Sequence, residues 1–257
     1  MPTSSGSIEQ VLDLKYGPSP RSGWGPRLRE RFGYRTPDDW YEALVFDLVT
    51  PDTTWLEVGC GRSPFPSNPA GAELLARRCR RLVGVDPSDN VQENPFLHER
   101  AQCHLRDYRT EEQFDLITAR MVVEHISDPA IALAALARLA KPGGRVVIYT
   151  VEKWSPVTFL SAVTPIGFHH AVKKVLWHAD ERDTFPTVYR MNTRRTLRSL
   201  FETAGFREES FHHLDDCRAF GRWRALNAAE LTAWRCFNAV GLRYPDACIL
   251  ATYRRAA

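Results

Sequence analysis

Six cysteines, at positions 60, 79, 103, 217, 236 and 248, are scattered with no Cys-x-x-Cys pair and no Cys/His ligand spacing. That excludes a zinc module and a disulfide framework and leaves reduced, mostly buried thiols with no metal site. No apolar run approaches the ~20 residues that cross a bilayer, and the first residues, MPTSSGSIEQ, lack the positive-then-apolar order of a signal peptide. The expectation is a cytoplasmic protein without a membrane span. An excess of one charge is missing too: 34 basic residues meet 31 acidic ones, for a net charge of +3, so no global field points to nucleic acid or an anionic membrane. Internal repeats and low-complexity runs are absent.

What remains is a chain of 257 residues with 44% hydrophobic content, enough for one substantial core. Its most informative stretch is TWLEVGCGRSP, residues 54–64, an apolar strand ending in Glu57-Val58-Gly59-Cys60-Gly61. Two glycines one residue apart at a strand end let a ligand lie against bare backbone. A second short strand, RLVGVDP, ends in Asp86, 27 residues after Gly59. An acid at the carboxyl end of a neighbouring strand accepts hydrogen bonds from both hydroxyls of a ribose.

Two further blocks follow in order: FDLITARMVVEHISDP (114–129) and LARLAKPGGRVVIYT (136–150). Together the four blocks, across residues 38–210, resemble class I S-adenosylmethionine-dependent methyltransferases. The third glycine of that family's glutamate-and-glycine motif is here Ser63, and the loop continues through Pro64 and Pro66. The resemblance implies S-adenosyl-L-methionine as cofactor, a small-molecule acceptor and a Rossmann-like, doubly wound, mostly parallel seven-stranded sheet.

Alternating strand and helix patterns point the same way. Strands are expected at 54–58, 82–85, 101–105, 114–119, 145–151, 206–213 and 247–253. Helices are expected from the Thr36-Pro37-Asp38-Asp39 start, from Asn68-Pro69 to Cys79, from Pro129 to Ala140, after Asn192-Thr193 and at 227–240. Residues 1–36, rich in Gly, Pro, Ser and Arg, show no long periodic segment and read as an N-terminal cap or flexible lead. Residues 37–257 form the methyltransferase domain, with 152–192 as an acceptor lid inserted after the fifth strand.

By resemblance, Glu57, Gly59 and Gly61 surround the methionyl amino group and adenosyl backbone, and Asp86 takes the ribose. Asp107 and Tyr108, after the weak third strand, correspond to the acid and cover of the adenine. Arg120 begins the loop that faces the methionyl part. His125 has two readings: an imidazole that removes a proton from the acceptor, or a helix-start residue that bonds backbone and holds the loop. In the lid, His169, His170 and Tyr189 are the further candidates for catalysis.

Competing functions are weighed on specific absences. A nicotinamide-dependent oxidoreductase needs a glycine where Pro64 stands. Base-amine methylation calls for Asp/Asn-Pro-Pro-aromatic where Ala119-Arg120-Met121-Val122 stands, and cytosine methylation for a Pro-Cys that does not occur; no nucleic-acid partner is expected. Other sulfonium chemistry, such as intramolecular cyclisation, and a non-catalytic cofactor-binding protein both remain open.

Overall fold

A computed structural model describes residues 3–155 and 186–256. Seven strands form one sheet in the order β3-β2-β1-β4-β5-β7-β6. They are β1 (Thr54–Val58), β2 (Arg81–Asp86), β3 (Glu99–Gln102), β4 (Phe114–Arg120), β5 (Ala140–Val151), β6 (Phe206–Asp215) and β7 (Ala247–Arg255). The first five run parallel, and β7 lies antiparallel between β5 and β6. The chain order reverses between β1 and β4, which makes their carboxyl ends the switch point where such sheets bind ligands.

Seven α-helices accompany the sheet among the described residues: α1 (Ser5–Tyr16), α2 (Trp24–Phe32), α3 (Pro37–Leu48), α4 (Pro69–Arg78), α5 (Pro129–Leu139), α6 (Arg194–Thr203) and α7 (Arg224–Ala239). Their starts follow the local chemistry expected from sequence. Thr36 and Asp39 form a reciprocal capping box ahead of Pro37, and Asn68, Asp128 and Thr193 each accept a backbone N–H of the turn that follows. Central strands are buried on both faces and alternate between two cores. Trp55, Leu116 and Tyr149 face α1, α3 and α4, whereas Leu56, Ile117 and Ile148 face α5 and α6.

Two expectations shift. The segment 1–36 is helical twice over: Ser4 caps α1, whose Ile8, Val11 and Leu12 recur at helical spacing and enter the core beside α3. β3 occupies Glu99–Gln102 rather than 101–105. Its ERAQ sequence has no β-branched residue, and pairing to β2 fixes its register instead. The acceptor-lid reading, with His169 and His170, falls largely outside the described residues; only 152–155 and 186–192 of that stretch are described.

Candidate active site

The parallel strands deliver their loops to one side, around a cavity of about 820 Å³. Its wall is assembled from the β1 loop (Gly59 to Ser63), the β2 end (Asp86 to Ser88), the turn after β3, and the β4 loop from Arg120 to Asp128. Gly59 and Gly61 both have positive φ, 66° and 43°, which explains why the turn uses glycine. At Gly61 a Cβ would meet nothing within 4 Å, whereas at Gly59 it would fall 2.3 Å from Val122 Cγ2. Gly59 therefore lets the β4 loop close against β1, and Gly61 leaves the turn open.

Asp86 is buried at the tip of β2. Its Oδ2 accepts the Gly61 N–H at 2.9 Å, and its Oδ1 accepts the Ser88 N–H at 2.8 Å and the Ser88 hydroxyl at 2.6 Å. These bonds fix the carboxylate in the cavity wall and tie the β1 and β2 loops together. Each oxygen retains acceptor capacity for a ligand hydroxyl.

Glu57 is placed differently. Its side chain lies under the cavity floor, not in the wall, where the Thr118 hydroxyl bonds it and Trp55 Nε1 donates to Thr118 Oγ1 at 2.5 Å. Burial pushes its carboxyl up to about 8, against the hydrogen bond from Thr118 and the field of Arg120. Glu57 is thus a neutral strut between β1 and β4 near pH 7.

Arg120, at the end of β4, lines the cavity and reaches Asp38 of α3 at 3.4 Å. Arg218, beyond β6, also bonds Asp38 and forks onto Asp216 with two 2.6 Å bonds. Burial would raise the Asp38 carboxyl, but Arg218 and Arg120 outweigh it and hold the group well below the usual carboxylate range. On the same helix Asp39 and Glu42 receive Lys15 of α1 at 3.0 and 2.8 Å. Charged contacts therefore join α1 to α3 and α3 to the cavity wall, and nothing in local sequence announced them.

His125 lines the cavity, and its Nδ1 lies 3.1 Å from the Pro186 carbonyl. A carbonyl only accepts, so Nδ1 carries the hydrogen in this pair and Nε2 is the basic nitrogen of the neutral ring. The neighbouring Glu124 is buried, bonded by Thr150 Oγ1 at 2.8 Å, and raised by that burial. Its carbonyl accepts the Val188 N–H at 2.8 Å, so His125 and Glu124 together clamp residues 186–188 to the β4 loop.

Three expected site residues lie elsewhere. Asp107 is exposed beside Arg106, and Tyr108 is buried in the core; neither lines the cavity. With β3 ending at Gln102, the wall there is Cys103, His104, Leu105 and Arg106. Tyr189 borders a second cavity of about 780 Å³, with Lys153, Trp154 and Arg195. Ser88, Asn90 and the 103–106 turn are cavity residues that the sequence reading passed over. Among the described residues there is no grouping of His, Cys, Asp and Glu that would hold a metal ion, and no helix long and apolar enough to cross a membrane.

Comparison with known proteins bears on this arrangement. A family model described as a methyltransferase domain matches residues 25–210. The ubiquinone biosynthesis O-methyltransferase of Hahella chejuensis is 32% identical over 133 residues, which are 48% of this chain and 52% of that protein. The chain spans about half the length of the curated relatives it matches. The N-methyltransferase NodS from Bradyrhizobium japonicum WM9, in complex with S-adenosyl-L-homocysteine, superposes with a TM-score of 0.51 at 16% identity, over 98% of this chain and 100% of that one. The geranyl diphosphate C-methyltransferase of Streptomyces coelicolor gives 0.53 at 16% identity, over 84% and 75%. At such identities the structural likeness speaks for the fold.

Proposed function

Because the chain belongs to the methyltransferase domain family, as a class I S-adenosylmethionine-dependent methyltransferase, we propose that it transfers a methyl group from S-adenosylmethionine to a hydroxyl-bearing small molecule in the cavity above β1–β4. The observation that carries this reading is the buried Asp86 carboxylate, held by Gly61 and Ser88 at the switch point of a parallel sheet. The site suits the cofactor on three grounds: a cavity of about 820 Å³, a glycine whose missing Cβ leaves open space, and a fixed acceptor for ribose hydroxyls.

With the ribose on Asp86, strand order sets the remaining polarity. β3 flanks β2 on one side, so the Cys103–Arg106 turn takes the adenine end; β1 and β4 lie on the other, so Gly59 and Arg120 take the methionyl end. Arg120 offers a guanidinium to the carboxylate there. Bound S-adenosylmethionine supplies a methyl carbon activated by the adjoining sulfonium. The chain's own work is to align the acceptor, exclude water and remove a proton, and His125 Nε2 is the group we assign to the last task. Residues 1–36 serve as a cap, supported by the contacts of Lys15 with α3 and of Asp38 with Arg120.

The test is incubation with S-adenosylmethionine and a panel of phenols and alcohols, with the nucleoside product identified by mass. S-adenosylhomocysteine with a methylated acceptor is expected. Methylthioadenosine would assign the site to another sulfonium reaction, and tight binding without either product to a non-catalytic role.

A further inference from the structure

The second cavity, of about 780 Å³, takes no part in the chemistry assigned above. Four segments far apart in sequence build it: Pro129 at the start of α5, Lys153 and Trp154 beyond β5, residues 188–190, and the first turns of α6 with the Thr193 cap. It adjoins the first cavity. Val188 lines both, and Asp128 of the first is followed directly by Pro129 of the second. The Val188 N–H bond to the Glu124 carbonyl, at 2.8 Å, fixes that partition to the loop that carries His125.

Lys153, Arg190 and Arg195 line this cavity, and among the described residues no acid does. Elsewhere on α6 the arginines are matched: Arg194 meets Glu208 at 2.6 Å and Arg198 meets Glu202 at 2.8 Å. The cavity cations are engaged otherwise. Arg190 donates one bond of 2.8 Å to the Ser127 carbonyl, and Lys153 Nζ stands 5.5 Å from the Trp154 ring centre. The acids that neighbour this wall in sequence are turned elsewhere: Glu152 is buried with an oxygen 2.9 Å from His213 Nδ1, and Asp128 caps α5 through the Ile131 N–H. Like charges gathered in one concavity from three chain segments concentrate a positive potential there. Beside them the wall is apolar and aromatic, with Trp154 65% exposed, Val188 39% exposed, and Tyr189 and Leu200 partly buried.

We propose that this second cavity is an anion subsite for the methyl acceptor, an inference that rests on the reading of the first cavity as the methyl-transfer site. The acceptor then carries a carboxylate or phosphate, received by Lys153, Arg190 and Arg195. Guanidinium groups offer paired N–H donors to such oxygens, and the ammonium adds a point charge. The acceptor's body lies against Trp154 and Tyr189, whose rings suit a planar or apolar framework. Its hydroxyl passes Val188 and faces His125 in the first cavity.

The experiment is ligand-observed magnetic resonance titration of phenol, benzoate and phenyl phosphate with the full chain, saturated with S-adenosylhomocysteine. Both anions should bind on the order of 10-fold more tightly than phenol, with the difference shrinking as salt is added. The stronger of the two identifies the acceptor's charged group as carboxylate or phosphate. Lys153→Met/Arg195→Met keeps the apolar stems and, because both side chains are exposed, the melting temperature. It should weaken the anions on the order of 10-fold and leave phenol and S-adenosylhomocysteine unchanged. In turnover, the double variant should raise KM for acid-bearing phenols with kcat kept. Equal affinity for phenol and the anions, no binding of either anion, or unchanged anion affinity in the variant overturns the proposal, as does an equal rise in KM for neutral phenols. Anion binding by a chain that does not bind S-adenosylhomocysteine would instead overturn the methyl-transfer reading, and with it the acceptor role of this subsite.

Discussion

Replacing Glu57 by Gln isolates an electrostatic cost hidden beneath the cavity. The native carboxyl, raised by burial to about 8, is protonated in the folded chain at pH 7 and ionised in the unfolded one, whose value is near 4.3. A group with a raised folded pKa contributes its stability fully below the unfolded pKa and loses it as pH rises through the folded one. Between about pH 4.5 and 8 this group alone therefore lowers unfolding free energy by roughly 1.4 kcal/mol per pH unit, or about 3.5 kcal/mol by pH 7. Glutamine keeps an acceptor for the Thr118 hydroxyl, fills nearly the same volume and has no proton to lose. Urea unfolding at pH 5 and pH 8 should show Glu57→Gln near wild type at the lower pH and more stable by a few kcal/mol at the higher. Parallel pH dependence in the two proteins would refute a buried neutral Glu57.

Gly59→Ala should destabilise by about 2 kcal/mol or more, from positive-φ strain and the Val122 clash; in a double-mutant cycle Val122→Ala should return the packing part, and strict additivity would deny the clash. Asp38→Asn removes the shared partner of Arg120 and Arg218 and should cost about 3–5 kcal/mol in urea unfolding at pH 7. Because the Asp38 pKa is depressed, that stability is present above its unfolded value and is lost as pH falls through the folded one, so the gap to wild type narrows in acid. His125→Gln should lower turnover of a hydroxyl acceptor by ~10²–10⁴-fold while cofactor affinity is kept; unchanged saturated turnover would remove His125 as base.

Local chemistry was legible wherever a short stretch determines its own conformation. The capping box at Thr36, the Asn68 and Asp128 caps and the glycine turn after β1 lie where their residues call for them. β3 was not legible, because ERAQ alternates weakly and its place is set by pairing to β2; with the strand ending at Gln102, it is Cys103–Arg106 and not the expected Asp107 and Tyr108 that line the cavity. Glu57 shows a different limit. β1 is buried on both faces, so sequence reveals an acid at a strand end but not that it turns beneath the floor. Asp38 and Arg218 are 180 residues apart, and only the folded sheet brings them together. α1 was hidden by the composition around it, although its Ile8, Val11 and Leu12 carry the helical period.

The central claim is that Asp86 holds the ribose of an adenosyl cofactor, and calorimetric titration of S-adenosylhomocysteine into wild type and Asp86→Asn tests it most directly. Asparagine retains one acceptor for the Gly61 or Ser88 N–H but loses the charge that strengthens ribose contacts. The expected result is a single site in wild type and an affinity about 10- to 100-fold lower in a folded Asp86→Asn protein. Equal affinity in the two, or no binding by wild type, would contradict it.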